Sequence, residues 1–385
     1  MNGAESLVRT LVSGGVNVCF ANPGTSEMHF VAALDRVEGM RCVLCLYEGV
    51  VTGAADAYYR MAGKPAATLL HLGPGLGNGL ANLHNAKKAR SGVVNIVGEH
   101  AGYHIKHDAP LTSDIEGVAR PMSDWVRTAL NSKTVAADGA LAIQTAREAP
   151  GRVATLILPG DTAWGDADGP AMVQPPVARQ PVASEAISAG ARALTCGEPA
   201  LLFLGGAALR GKALELAGRI AAKTGCRLMS EYNNARMESG AGRVPAPRLP
   251  YVVDVALAAL KDVRQLVLVG AKTPVSFFAY PGKPSVLIPD DCAVTRVAGV
   301  ESDLEGALDA LADALDARNT PPAVAALART ALPAGKVTRD GITAVLVALL
   351  PEHAVVIDES ITTGRSFATA MAGAPPHDWL NLMGG

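Results

Sequence analysis

Three short stretches carry the side chains with the most chemical potential. Leu46-Tyr47-Glu48-Gly49-Val50-Val51 holds a lone carboxylate between an apolar run and a helical pattern. A glutamate there is either a first-turn acid favoured by the helix dipole or a proton-handling group at a strand end. Phe20 is followed by the polar turn Ala21-Asn22-Pro23-Gly24-Thr25-Ser26-Glu27. Leu70 is followed by His71-Leu72-Gly73-Pro74-Gly75-Leu76-Gly77-Asn78-Gly79. A carboxylate, a hydroxyl-bearing turn and an imidazole could share one crevice if the runs before them lie side by side in a parallel sheet, where ligands bind at the carboxyl ends of strands. With Leu46, Val50 and Val51 around it, Glu48 is expected to be partly desolvated, an environment suited to sharing a proton.

The elements needed for that meeting are legible. Val16–Phe20, Arg41–Leu46, Ala66–His71, Val93–Val97 and Val153–Leu158 read as strands, with helical stretches such as Gly49–Met61 and Gly79–Ala89 between them. This rhythm over about 175 residues predicts βα units and one parallel sheet buried on both faces. A linker with Pro170, Pro175, Pro176 and Pro181 precedes a second series. There Ala200–Leu204 enters Gly205-Gly206 and a helix to Lys223, followed by strands at Leu266–Val269 and Ser285–Ile288 and a helix at Leu304–Ala317. After Pro321, Pro322 and Pro333 a third module opens with a helix at Arg339–Leu350 and a strand at Val355–Ile357. The expected fold class is α/β, with tandem doubly wound parallel-sheet domains.

Composition narrows the partners. The 385 residues are 49% hydrophobic and 18% charged, with a formal net charge of -2, so there is no basic field for nucleic acid. The N-terminal Met1–Arg9 stretch reads as an amphipathic helix and not as a secretory leader. No apolar run approaches the ~20 residues needed to span a bilayer. Six scattered cysteines suit a reducing cytoplasm. A small-molecule partner is expected.

The segments around Asn22, Glu48 and Gly73–Asn78, in this order and spacing, resemble the pyrimidine-binding domain of thiamine-diphosphate (ThDP) dependent 2-oxo acid decarboxylases and acetolactate synthases. Pro150-Gly151-Arg152-Val153 with Pro159-Gly160-Asp161 resembles the end of that domain, and Val356-Ile357-Asp358-Glu359-Ser360 resembles the opening of the diphosphate-binding domain. The resemblance implies a pyrimidine-binding domain at 1–170, a central Rossmann-like domain at 184–320 and the beginning of a diphosphate-binding domain at 335–385. It implies that Glu48 bonds the N1′ of the aminopyrimidine and promotes its imino tautomer, whose 4′-nitrogen takes the proton from the C2 carbon. It places His71 beside Glu48 as a catalytic group and Thr25 near a substrate-binding serine position. Asn22, Pro23, Gly24, Thr25, Gly75 and Asn78 are then cofactor contacts, with Ser360 and Thr362 as candidates toward the diphosphate.

The family pattern is mixed here. His71 matches the benzoylformate decarboxylase branch, whereas Gly73-Pro74-Gly75 is similar to the acetolactate synthase version of the same segment. Val275–Tyr280 reads Val-Ser-Phe-Phe-Ala-Tyr where the decarboxylase branch carries a second histidine. The expected activity is acetolactate synthase-like carboligation, with simple decarboxylation or a non-catalytic α/β binding module as alternatives. The family's Gly-Asp-Gly, which holds Mg2+ on the diphosphate, occurs nowhere in the chain. The expectation is therefore a fragment that is inactive by itself, with the magnesium ligands in a module beyond it. The resemblance also implies a homodimer or homotetramer with the active site at the subunit interface. Leu204-Gly205-Gly206-Ala207 leaves FAD an open question.

Glu99–His107 carries three histidines, but Gly102 interrupts any helical face and no metal-ligand pattern is present. It is expected to be a loop over the same crevice, either offering His100 or His104 to substrate or simply solvated. Cys42 and Cys45 match a redox spacing, yet within a strand they point to opposite faces. The glycines at 73, 75, 77 and 79 are not a dinucleotide fingerprint, because its third position falls on Asn78.

Overall fold

A computed structural model describes every residue except Arg365. The chain divides into two compact units, 1–178 with 383–385, and 179–382. In the first unit the elements run α1 (Gly3–Ser13), β1 (Val18–Asn22), α2 (Met28–Arg36), β2 (Arg41–Leu44), α3 (Glu48–Ala62), β3 (Ala66–Leu70), α4 (Leu72–Ala89) and β4 (Val93–Glu99). They continue with α5 (Ile115–Ala119), β5 (Trp125–Thr128), α6 (Val135–Arg147), β6 (Val153–Pro159) and α7 (Gly160–Trp164). The six strands form one all-parallel sheet in the order β2-β1-β3-β4-β6-β5. Every residue of β3, β4 and β6 is buried, as expected for strands covered by helices on both faces. One apolar cluster, including Leu7, Leu11, Phe30, Leu69 and Ile143, fills one side, and a second, including Val51, Leu70, Leu76 and Leu83, fills the other.

Within the central strands an unusual polar chain runs across the sheet. Thr68 Oγ1 donates to Asn95 Oδ1 (2.7 Å), Asn95 Nδ2 to Thr155 Oγ1 (3.0 Å), and Ser123 Oγ lies 2.7 Å from that hydroxyl. Thr68, Asn95 and Thr155 are fully buried. Because the polar atoms find one another, their burial is compatible with a stable core, and the chain fixes the pairing register of β3, β4 and β6.

The second unit contains α8 (Ser184–Thr195), β7 (Ala200–Leu204), α9 (Gly211–Thr224), β8 (Arg227–Ser230), β9 (Met237–Ser239), α10 (Val253–Leu260), β10 (Gln265–Val269), β11 (Ala293–Ala298) and α11 (Leu304–Ala314). It ends with α12 (Arg339–Leu349), β12 (Ala354–Asp358), α13 (Phe367–Ala370) and β13 (His377–Asn381). A parallel sheet β11-β10-β7-β8 is accompanied by a smaller sheet, β12-β13-β9, in which β13 pairs antiparallel with β9. Buried Trp379 of β13 joins the same apolar cluster as Leu204 and Val269.

Three sequence expectations are corrected. Ser285–Ile288 is not a strand; only an isolated bridge joins Val286 to Val275. Pro284 and Pro289 bracket that run and cannot donate to a ladder, and the sheet takes Ala293–Ala298 instead. The helix expected at Leu304–Ala317 ends at Ala314, just before Asp316 at φ 52°. The helix expected to start at Gly79 starts seven residues earlier, at Leu72. Its first turn tolerates Pro74 because the N–H groups there have no intrahelical acceptor. Among the described residues, no helix is long and apolar enough to cross a membrane.

Candidate functional site

The strand order places a topological switch point between β1 and β3, since β2 lies on one side of β1 and β3 on the other. The turns after these strands are where a ligand crevice forms in open α/β sheets. Asn22 ends β1, His71 follows β3 as the N-cap residue of α4, and Glu48 is the first residue of α3. The fold thus brings the three sequence stretches to one end of the sheet.

Around His71 the geometry is closed. Its Nδ1 lies 2.8 Å from Glu27 Oε2 and 3.3 Å from Ser26 Oγ. Glu27 also accepts from Gly24 N–H (2.7 Å, Oε2) and from the Ser26 hydroxyl (2.8 Å, Oε1). The Glu27 side chain is 1% exposed, against 25% for His71. Two glycines make room: a Cβ on Gly24 would overlap the imidazole, and a Cβ on Gly98 in β4 would overlap Glu27 Oε1. Leu72, fully buried, holds φ at 48° immediately after His71, a left-handed conformation that disfavours side chains of its kind.

Around Glu48 the geometry is open. Asn78 Nδ2 donates to Glu48 Oε2 at 3.1 Å, and Tyr47 Oη donates to Asn78 O at 3.3 Å. A Cβ on Gly75 would stand 3.3 Å from Glu48 Oε1, so glycine keeps that oxygen uncovered. Helices α3 and α4 are laced together beneath it: Thr52 Oγ1 donates to Gly79 O (2.9 Å) and Asn82 Nδ2 to Gly49 O (2.8 Å). The Gly-rich stretch is therefore the close-packed start of a helix; Gly79 is small because Thr52 lies against it. The apolar shell expected around Glu48 is only partly present. Val51 turns into the core, but Leu46 is 93% exposed in the turn before α3, and Val50 is 55% exposed because adjacent helical positions point to different faces.

The other expected residues fall in several places. Asn22 spends its Nδ2 on Cys45 O (2.7 Å), tying the end of β1 to the turn before α3. Pro23 and Gly24 form the turn after β1, and Thr25 is exposed while its neighbour Ser26 faces His71. The His100 and His104 rings lie tilted to each other with centroids 5.7 Å apart, and His100 Nε2 is buried without a partner among the described residues. Beside them burial pushes the Glu99 carboxyl above its ordinary value, partly offset by the His100 N–H that donates to it at 2.7 Å. Ser360 lies in the second unit, with its hydroxyl and N–H both directed to Asp358 Oδ1, and Thr362 is exposed. Cys42 is exposed and Cys45 buried, both as free thiols. Glu27, Ser26 and Gly98 are the parts of the site that sequence reasoning missed. The signal for Glu27 was its place three residues after Gly24 at a strand end, the spacing of a capping box.

A doubly wound sheet with a glutamate, an asparagine and an imidazole at its switch point has these groups where open α/β folds bind small molecules. Comparison with known proteins gives the family. Residues 1–118 match the family described as "Thiamine pyrophosphate enzyme, N-terminal TPP binding domain". Over its whole length the chain is 52% identical to the "Putative acetolactate synthase large subunit IlvX" of Mycobacterium tuberculosis, covering 74% of that protein. It is 28% identical to the benzoylformate decarboxylase of Pseudomonas aeruginosa, over 92% of this chain and 70% of that one. A solved structure of a "putative thiamin diphosphate-dependent enzyme" from Mycobacterium smegmatis shares the fold across the whole chain, with a TM-score of 0.83 at 22% identity and 77% of that chain covered. The chain belongs to the thiamine-diphosphate-dependent enzyme family that contains the acetolactate synthase large subunits and benzoylformate decarboxylase.

Proposed function

We propose that the chain provides the pyrimidine-binding side of a ThDP site and works in the decarboxylation of a 2-oxo acid with transfer of the acyl unit to a second carbonyl. The observation that carries this reading is Glu48, whose Oε2 is held by Asn78 and whose Oε1 faces a glycine. A flat aminopyrimidine edge with a ring nitrogen fits such a cradle, and a side chain at Gly75 would narrow it. When bound, ThDP supplies the carbon nucleophile and the electron sink for loss of carbon dioxide. Glu48 holds or gives a proton at the ring nitrogen, and Asn78 fixes the direction of its carboxylate. His71 handles protons on the substrate side, while Asn22 holds the turns after β1 and β2 together.

Among the described residues no cluster of three or more His, Cys, Asp or Glu side chains is arranged to hold a metal. Mg2+ and the diphosphate are assigned to a Gly-Asp-Gly module that this sequence lacks. Leu44, Leu46, Tyr47 and Val50 leave an apolar, exposed surface around Glu48, which supports a homodimer or homotetramer that completes the site between subunits. Action in the cytoplasm, in branched-chain amino acid biosynthesis, follows from the acetolactate synthase reading.

A second reading is favoured by the Ser26–His71 pair: a benzoylformate decarboxylase-like reaction in which the acyl unit is released by protonation. The gene product, including any coding sequence that follows codon 385, is incubated with ThDP, Mg2+ and pyruvate. Acetolactate supports ligation, and acetaldehyde supports the simple decarboxylase. Glu48→Gln is expected to lower turnover by about 10²- to 10⁴-fold, the range for losing a positioned acid–base group. If the wild-type gene product shows no turnover of pyruvate and Glu48→Gln leaves its ligand binding intact, the chain is a non-catalytic α/β binding module.

A further inference from the structure

We infer that Glu27 is a positioning residue that locks His71 in the tautomer with its proton on Nδ1, so that Nε2 presents a lone pair. The assignment follows from which partners can donate. Gly24 N–H can only donate, and its acceptor is Glu27 Oε2 at 2.7 Å. The Ser26 hydroxyl donates to Oε1 at 2.8 Å, so both carboxylate oxygens are acceptors. The remaining group at Oε2 is His71 Nδ1 at 2.8 Å, and it must bring the proton. With its own hydrogen turned to Glu27, Ser26 Oγ offers only a lone pair to the same Nδ1–H at 3.3 Å. Every hydrogen is then accounted for without conflict. Nε2 is left without a protein partner among the described residues, on a side chain one-quarter exposed.

The arrangement is built rather than incidental. Gly24 lets the imidazole lie directly on the backbone of the turn, and Gly98 lets the Glu27 carboxylate sit against β4. A carboxylate buried behind an imidazole fixes its ring orientation and steadies the imidazolium whenever Nε2 takes a proton. This deepens the reading of His71 as the proton-handling group of the ThDP site and rests on it for its catalytic meaning. The tautomer itself does not depend on that reading.

The test is nitrogen-detected NMR of the ring-¹⁵N-histidine-labelled chain, with the His71 signals assigned by their loss in His71→Asn. Wild type is expected to show protonated Nδ1 and unprotonated Nε2 for neutral His71. Glu27→Met removes the acceptor and is expected to move His71 toward the Nε2–H tautomer that imidazole prefers in water. Glu27→Gln restores the lock: Gly24 N–H selects the amide oxygen at the Oε2 position, and that oxygen again accepts from Nδ1–H. Ser26→Ala should leave the tautomer unchanged. If wild-type His71 carries its proton on Nε2, or if Glu27→Met keeps Nδ1–H while circular dichroism shows a folded chain, the inference is overturned. Should Glu27→Met fail to fold, the wild-type tautomer alone decides the question. Failure of the chain to bind ThDP would remove the functional reading and leave the lock standing.

Discussion

Two glutamates at the same end of one sheet are held in opposite ways. Glu27 is buried, accepts three donors and stands behind an imidazole. Glu48 is half-buried, has one contact from Asn78, and is bordered by exposed Leu46 and Val50. The first is finished by its own unit. The second is shaped to be finished by something else, a cofactor ring edge and a further protein surface in the reading proposed above. In that reading, preorganisation is concentrated behind the imidazole proposed to move protons, while the carboxylate proposed to meet the cofactor is left accessible.

That contrast has a stability signature. Glu27→Met removes the charged acceptor of Gly24 N–H in a half-buried turn and is expected to cost about 1.5–3 kcal/mol, the range for hydrogen bonds to charged groups. Glu48→Gln removes no buried partner and should stay within about 0.5 kcal/mol, as surface substitutions do. Urea unfolding of both variants measures the difference, and equal costs would erase the distinction between the two sites.

Gly98→Ala probes the same contrast with a smaller effect. The added methyl overlaps Glu27 Oε1, the end of a side chain that can shift, so about 1 kcal/mol of destabilisation is expected from overpacking. The displaced carboxylate should also loosen His71, seen as a change in its NMR signals. Gly77→Ala, where a Cβ meets nothing within 4 Å, is the control and should be neutral or slightly stabilising in helix α4. A larger loss at Gly77 than at Gly98 would contradict the packing described.

Much of this was legible in the sequence, for identifiable reasons. The alternation of apolar runs and helical stretches marks a parallel sheet, and a parallel sheet gathers strand ends, so Glu48, His71 and Asn78 could be placed together before any coordinates. What escaped was set by packing between segments. Gly73–Gly79 looks like a loop by helix propensity, but contacts of α4 with α3 override it. Glu27 reads as an ordinary capping residue until His71 arrives from 44 residues further along the chain. The strand at Ala293–Ala298 carries Thr295 and Arg296, a weaker apolar signal than the proline-bracketed run before it.

The smallest expected effect concerns Glu99, which ends β4 one residue after Gly98. Burial disfavours its charged form, so the folded chain keeps the proton to a higher pH than the unfolded chain, whose glutamate titrates near the ordinary 4.5. Between 4.5 and the raised folded value, the folded state binds more protons than the unfolded state, and stability falls as pH rises through that window. Glu99→Gln carries no titrating proton and should flatten this part of the stability–pH curve without changing its slope elsewhere. The check is the urea midpoint of both proteins at several pH values from 4.5 upward. An identical slope in the variant would mean that Glu99 is solvated in the folded chain. The closed region would then end at Glu27 and not extend along β4 to the histidine cluster.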